Sequence, residues 1–200
     1  MPMAWLVVGL GNPGPTYASH RHNVGAMVVA ELARRGGVKL AAHALQRANT
    51  ADVRIGASGV GAVGADTEKA VLATTRTYMN ESGGPVAKLL AHYKLTPDHL
   101  VVIHDELDID FGHLRTKLGG GDNGHNGLKS IRGALGTGDF YRVRWGVGRP
   151  PGRQDPADFV LSPFPKSLAE DVAVEVSRAA DAVECLVTHG LDATQQKFNS

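Results

Sequence analysis

Two apolar runs, Trp5-Leu6-Val7-Val8 and Leu100-Val101-Val102-Ile103, carry no polar residue on either face. Each is too short for a buried helix, and neither alternates. They read as strands buried on both sides, the condition of inner strands in a sheet covered by helices. Elsewhere the period changes. Val24, Met27, Val28 and Leu32 share one face of a helix expected over Val24 to Arg35, with Asn23 as its cap and Gly36-Gly37 as its stop. Residues 50 to 75 read as strands joined by a Gly-rich turn, and Glu81 to Tyr93 as a helix. Leu114 to Leu118 and Phe140 to Val147 alternate as half-exposed strands do, and a short helix is expected from Asn126 to Leu135. Pro150 to Pro165 reads as an extended connection. Ser167 and Glu170 match a capping box opening a C-terminal helix over 167–189, with Gly190 as its stop. The expected fold is α/β: a single domain over residues 1–200, with a twisted mixed central β-sheet flanked by α-helices. The 150–165 connection and the last helix are expected to border a crevice, the connection as a lid.

Composition narrows the function. Lys plus Arg total 21 against 20 for Asp plus Glu, so any nucleic-acid binding must come from a local basic patch. The single cysteine, Cys185, excludes a disulfide within the chain and argues against a cysteine-based zinc site. No basic segment leads into a long apolar run, so the expected location is the cytoplasm, with no membrane span.

Gly9-Leu10-Gly11-Asn12-Pro13-Gly14 satisfies G-x-G-x-x-G after a strand. A dinucleotide site also needs a helix starting inside that run, so that free N–H groups meet the pyrophosphate. Pro13 and Pro15 lack that N–H, and helical periodicity begins only near Val24. The loop is either a structural turn or a platform for Asn12.

His22, at a loop–helix junction, is a general-base candidate or a surface or capping histidine. Asp105 ends a central strand, where ligand crevices form in α/β sheets. It could ligate Mg²⁺ within His104 to Asp110, orient a histidine, or belong to a solvated acidic turn, the reading preferred for Asp108 and Asp110. Asn80 and Asn126 each read as a helix cap or as an amide donor to an oxyanion. The run Gly119 to Gly127 lacks the Gly-Lys-Ser/Thr ending of a P-loop and suggests close backbone approach or a mobile lip. Arg115 with Lys117, and Arg142 with Arg144, share strand faces expected to point to solvent, as a soluble face or a phosphate patch.

Together these segments resemble the bacterial-type peptidyl-tRNA hydrolase family. The matching stretches are Val8 to Gly14 with Tyr17, Arg21-His22-Asn23-Val24-Gly25, Tyr78-Met79-Asn80 with Ser82-Gly83, His104 to Asp108, Lys117 to Gly121, and Gly124 to Lys129. They occur in the family's order over nearly the whole chain. The resemblance implies an esterase acting on peptidyl-tRNA, with no metal, no cofactor and no obligatory protein partner. It implies His22 as the base that activates water, oriented by Asp105, with Asn12, Asn80 and Asn126 positioning substrate, water and oxyanion. Tyr17, Met79 and His125 would line the crevice, and Lys117 with Arg142 or Arg144 would hold tRNA phosphate. The segment before Tyr78 reads Ala73-Thr74-Thr75-Arg76-Thr77, where the family often has a Lys-Pro pair. The rival readings are a non-catalytic tRNA-binding module, a dinucleotide-cofactor enzyme and a metal-dependent hydrolase.

Overall fold

A computed structural model of the chain describes residues 4–199. Its elements begin with β1 (Trp5–Gly9), α1 (Val24–Arg35), β2 (Ala41–Ala42), β3 (Ala48–Gly56), β4 (Gly59–Val60), β5 (Glu68–Thr75) and α2 (Gly83–Tyr93). There follow β6 (Leu100–Glu106), β7 (Leu114–Leu118), α3 (Asn126–Leu135), β8 (Tyr141–Gly146), α4 (Pro156–Val160), α5 (Ala169–His189) and α6 (Leu191–Phe198). The strands form one sheet in the order β2-β3-β5-β1-β6-β8-β7, with β4 beside β3. β5, β1, β6 and β8 run parallel, while β3 and β7 join antiparallel on the two flanks. The α/β fold with a mixed sheet is the one expected.

The two apolar runs are neighbours at the centre, Leu6 to Gly9 paired with Leu100 to Ile103. Alternate residues feed two cores. Val7, Val101 and Ile103 pack in a cluster with α1 and α5, whereas Leu6, Val8, Leu100 and Val102 pack with α2 and α3. Both faces are dry, which is why neither run carries a polar residue.

The start of α1 sits closer to the sheet than side chains permit. A Cβ on Gly25 would collide with the carbonyl of Ile103, and one on Gly9 with the carbonyl of Gly25. Leu10 N–H donates to Ile103 O (3.0 Å), and Ala26 N–H to Leu10 O (3.2 Å). An amide in the first turn of α1 therefore serves the glycine loop itself rather than a pyrophosphate.

Several local expectations need correction. Asn23 precedes α1 but makes no side-chain cap; its amide pairs with the backbone of Asn12 instead. The Pro150 to Pro165 connection is not wholly extended. It contains α4, capped by Asp155, whose side chain accepts from Ala157 N–H (3.0 Å), with Pro156 in the first turn. The capping box does not form: Lys166–Leu168 is a 3₁₀ turn, and α5 starts at Ala169 without a side-chain cap. Gly190 does end α5, but α6 follows. Beyond it Asn199 Oδ1 accepts from Thr116 N–H (2.8 Å), so this segment covers the edge of β7. Among the described residues, no helix is long and apolar enough to cross a membrane.

Candidate active site

The C-terminal ends of β1 and β6 point to one edge of the sheet, and His22 and Asp105 meet there. His22 lies in a 3₁₀ turn, Arg21–Asn23, leading into α1, and Asp105 is the penultimate residue of β6. His22 Nδ1 is 2.9 and 2.8 Å from the two oxygens of Asp105, and both residues are buried.

His125 completes the arrangement. Its Nδ1 accepts from the N–H groups of Gly127 (3.1 Å) and Leu128 (3.3 Å), capping α3. Those amides can only donate, so Nδ1 carries the lone pair and the proton sits on Nε2. Nε2–H then donates to Asp105 Oδ1 (2.8 Å). Asp105 is thus clamped between two imidazoles. Burial alone would raise its carboxyl, but electrostatic attraction to the ring N–H groups of His125 and His22, and the hydrogen bonds they donate, outweigh this and hold it well below the usual carboxylate range. An ionised Asp105 requires His22 Nδ1 to be the donor. His22 Nε2 is left as the basic nitrogen.

The cap at α3 also settles Asn126. His125 caps the helix, while Asn126 is exposed on the wall of a crevice of about 190 Å³ that includes His22, Asp105, His125, Leu107 and Val160. Asn80 is exposed in the 3₁₀ turn Met79–Glu81 and caps no helix. Met79 is buried, and its N–H donates to Asn12 Oδ1 (2.7 Å). That bond fixes the Asn12 amide and leaves Nδ2 as its uncommitted donor. Asn12 lines a separate cavity, with Asn23 and Thr74, rather than the crevice. Tyr17 is half-buried, with its ring 6.2 Å edge-on from Tyr78.

Two participants had no role assigned from sequence. Arg21 donates to Ser162 Oγ (2.7 Å) and Pro163 O (3.0 Å), and its guanidinium lies over the rings of Phe159 (4.0 Å) and Phe164 (5.1 Å). It ties the α4 connection to the turn that holds His22. His104 is buried beside His125, ring to ring at 5.1 Å and edge-on, and its Nδ1 donates to Asp105 O (2.8 Å). Its strand parity with Leu100 and Val102 is the sequence signal that it points inward.

Burial, then the neighbouring His125, pushes the pKa of His104 down to about 3. In the unfolded chain this histidine protonates near its ordinary value of about 6.5. Between those values the unfolded state binds the extra proton, so stability is full above about 6.5 and falls as pH drops toward 3. His104→Asn should remove that slope, about 1.4 kcal/mol per pH unit. Urea unfolding of both proteins at pH 6.5, 5.5 and 4.5 measures it; parallel loss of stability would refute the assignment.

The basic strands do not behave alike. In the β7–β8 register Lys117 faces Arg142 and Arg115 faces Arg144. Like charges directly across a ladder repel, and the fold separates their tasks. Arg142 was expected on a solvent face but is 1% exposed. Its guanidinium donates to the carbonyls of Gly120 (2.7 Å), Gly138 (2.9 Å) and Gly121, and it stacks on Phe140. It builds the Gly-rich turn. Lys117, Arg144 and Arg115 instead line a cavity of about 360 Å³, of which Glu106 and Asn123 also border the crevice. Burial, then Arg144 and Arg142, lowers the pKa of Lys117.

The chain is similar to known proteins over nearly its whole length. Residues 6–200 match the family model described as Peptidyl-tRNA hydrolase. A protein of that name from Cutibacterium acnes is 56% identical over 200 residues, covering 100% of both chains. Another, from Kineococcus radiotolerans, is 54% identical over 200 residues, covering 100% of this chain and 99% of its own. A crystal structure of peptidyl-tRNA hydrolase from Acinetobacter baumannii matches with a TM-score of 0.86 and 31% identity, covering 100% of this chain and 97% of that one. Sequence and fold agree: the chain belongs to the peptidyl-tRNA hydrolase family.

Proposed function

We propose that this chain hydrolyses the ester between a peptide, or another N-blocked aminoacyl group, and the 3′ end of tRNA. The observation that carries the reading is the tautomer chain from the α3 amides through His125 and Asp105 to His22, which leaves His22 Nε2 as a base at the crevice. Among the described residues lining that crevice there is no Ser, Thr or Cys for His22 to activate, and an aminoacyl ester is reactive enough for a base-activated water to serve as the nucleophile.

The water oxygen attacks the ester carbonyl while its proton passes to His22 Nε2. Asp105 stabilises the imidazolium so formed. Asn12, Asn80 and Asn126 are the amide donors assigned to substrate, water and oxyanion; one well-aimed donor is worth about 2.7–4 kcal/mol in a studied enzyme. Collapse expels the ribose oxygen, which takes the proton back from His22, giving a carboxylic acid and free tRNA. Tyr17, Met79 and His125 shape the surroundings. Lys117 and Arg144 bind tRNA phosphate, and Arg142 supports the turn beside them. The reaction takes place in the cytoplasm and involves no cofactor or obligatory protein partner.

His22, Asp105 and His125 also present possible metal-ligand atoms within 4.8 Å of one another. The test is therefore run in EDTA, with an N-acetylaminoacyl-tRNA as substrate and release of the acyl group as readout. Cleavage in EDTA is expected. Cleavage only with added divalent ion would favour a metal centre; salt-sensitive tRNA binding without cleavage would favour a binding module.

A further inference from the structure

Arg21 stands directly before His22 in the same 3₁₀ turn and is buried, yet among the described residues no carboxylate pairs with it. Its guanidinium is held by the hydroxyl of Ser162, the carbonyl of Pro163 and the rings of Phe159 and Phe164. Taking a guanidinium out of water without a counter-ion costs stability, and an apolar side chain of similar length would fill the same space with less loss. Stability alone does not account for an arginine here.

What Arg21 holds is a wall of the crevice. Pro156, Ala157 and Val160 of α4, with Leu161, line that crevice together with His22. α4 has five residues, and a helix so short does not persist by its own hydrogen bonds. Its C-terminal end is fixed by a relay. Arg21 Nη1 donates to Ser162 Oγ (2.7 Å), and that hydroxyl donates its own proton to Phe159 O (2.5 Å). The backbone N–H of Arg21 donates to Ser162 O (3.1 Å), so main chain and side chain of one residue grip the same segment. Beyond it Phe164 packs on the buried Trp145 of β8, with ring centroids 5.6 Å apart.

We infer that Arg21 is a positioning residue for ester cleavage: by clamping Ser162 and Pro163 it fixes the α4 wall of the crevice against the turn that carries His22. The inference rests on the ester-hydrolase reading. Arg21 and His22 are consecutive, so any shift of α4 relative to Arg21 is a shift relative to the base. An ester within reach of His22 lies against that wall, and a misplacement of about 1 Å can cost about 10²-fold in rate. The cationic cavity shares no lining residue with α4, so the hold on tRNA phosphate does not depend on the clamp.

Arg21→Met, Arg21→Lys, Ser162→Ala and the combination of Arg21→Met with Ser162→Ala test this on N-acetylaminoacyl-tRNA. Arg21→Met keeps apolar contact with Phe159 but loses the donors. Its kcat should fall about tenfold, with the Kd for tRNA within about twofold of wild type and a similar thermal midpoint. Arg21→Lys restores a donor without the planar fork and should recover about threefold of that loss. Ser162→Ala alone should lower kcat about threefold and add nothing to Arg21→Met, because both remove one bond. If folded Arg21→Met keeps kcat within about twofold of wild type, or if the two losses multiply independently, the clamp is overturned and the hydrolase reading stands. Should Arg21→Met not fold, Ser162→Ala decides, and an unchanged kcat overturns the clamp. If folded wild type cleaves no ester, both readings fall.

Discussion

Asp105→Asn should lower kcat by about 10²–10⁴-fold while leaving the fold intact. The amide keeps the shape of the carboxylate, but it has one acceptor where two imidazole N–H groups now donate. His125 cannot change its tautomer without losing the Gly127 and Leu128 amides that it caps. It therefore takes the Asn oxygen, and the Asn NH₂ is turned toward His22 Nδ1. That nitrogen must become the acceptor, which places the proton on Nε2 and removes the base. Turnover of an N-acetylaminoacyl-tRNA should fall across the whole pH range, with a thermal midpoint close to wild type. Near-normal kcat would show that Asp105 does not set the tautomer of His22.

His22→Ala should reduce kcat by about 10³-fold with little change in tRNA affinity, because it deletes the proton acceptor and leaves the cationic cavity of Lys117 and Arg144 untouched. Filter binding at fixed salt gives the affinity, and single-turnover cleavage gives the rate. Retained cleavage would assign the base elsewhere. The two variants also differ in kind. His22→Ala leaves Asp105 with one donor, whereas Asp105→Asn leaves the base present but misprotonated.

Much of this was legible because it is local. The limits of α1 and α3 follow from apolar period and from a glycine or a polar residue at each end, and both run as read. The two central strands announce themselves by having no polar face. His22 and Asp105 stand where a loop enters a helix and where a buried strand ends, and the fold brings them together across 83 residues of chain. Other features depend on distant register. Arg142 and Arg144 look equivalent in sequence. Only the pairing of β7 with β8, and the return of the Gly-rich turn over Arg142, makes one structural and the other a wall of the cavity. Asn23 failed as a cap for a related reason. Its partner, the Asn12 backbone, lies 11 residues back in a loop whose course the sequence did not specify. His125 was placed in the crevice, but its double role was hidden, because histidine is an uncommon cap and its other ring nitrogen meets a residue 20 positions away.

The collision that any side chain at Gly9 or Gly25 would meet has a consequence for the catalytic pair as well as for shape. With nothing between the backbones of β1, α1 and β6, the turn bearing His22 and the strand bearing Asp105 have no compressible layer to slide on. The spacing of His22 and Asp105 is therefore set by direct backbone contact rather than by side chains that could repack. Alignment of the pair is thus a property of the backbone scaffold itself, fixed where β1, α1 and β6 touch.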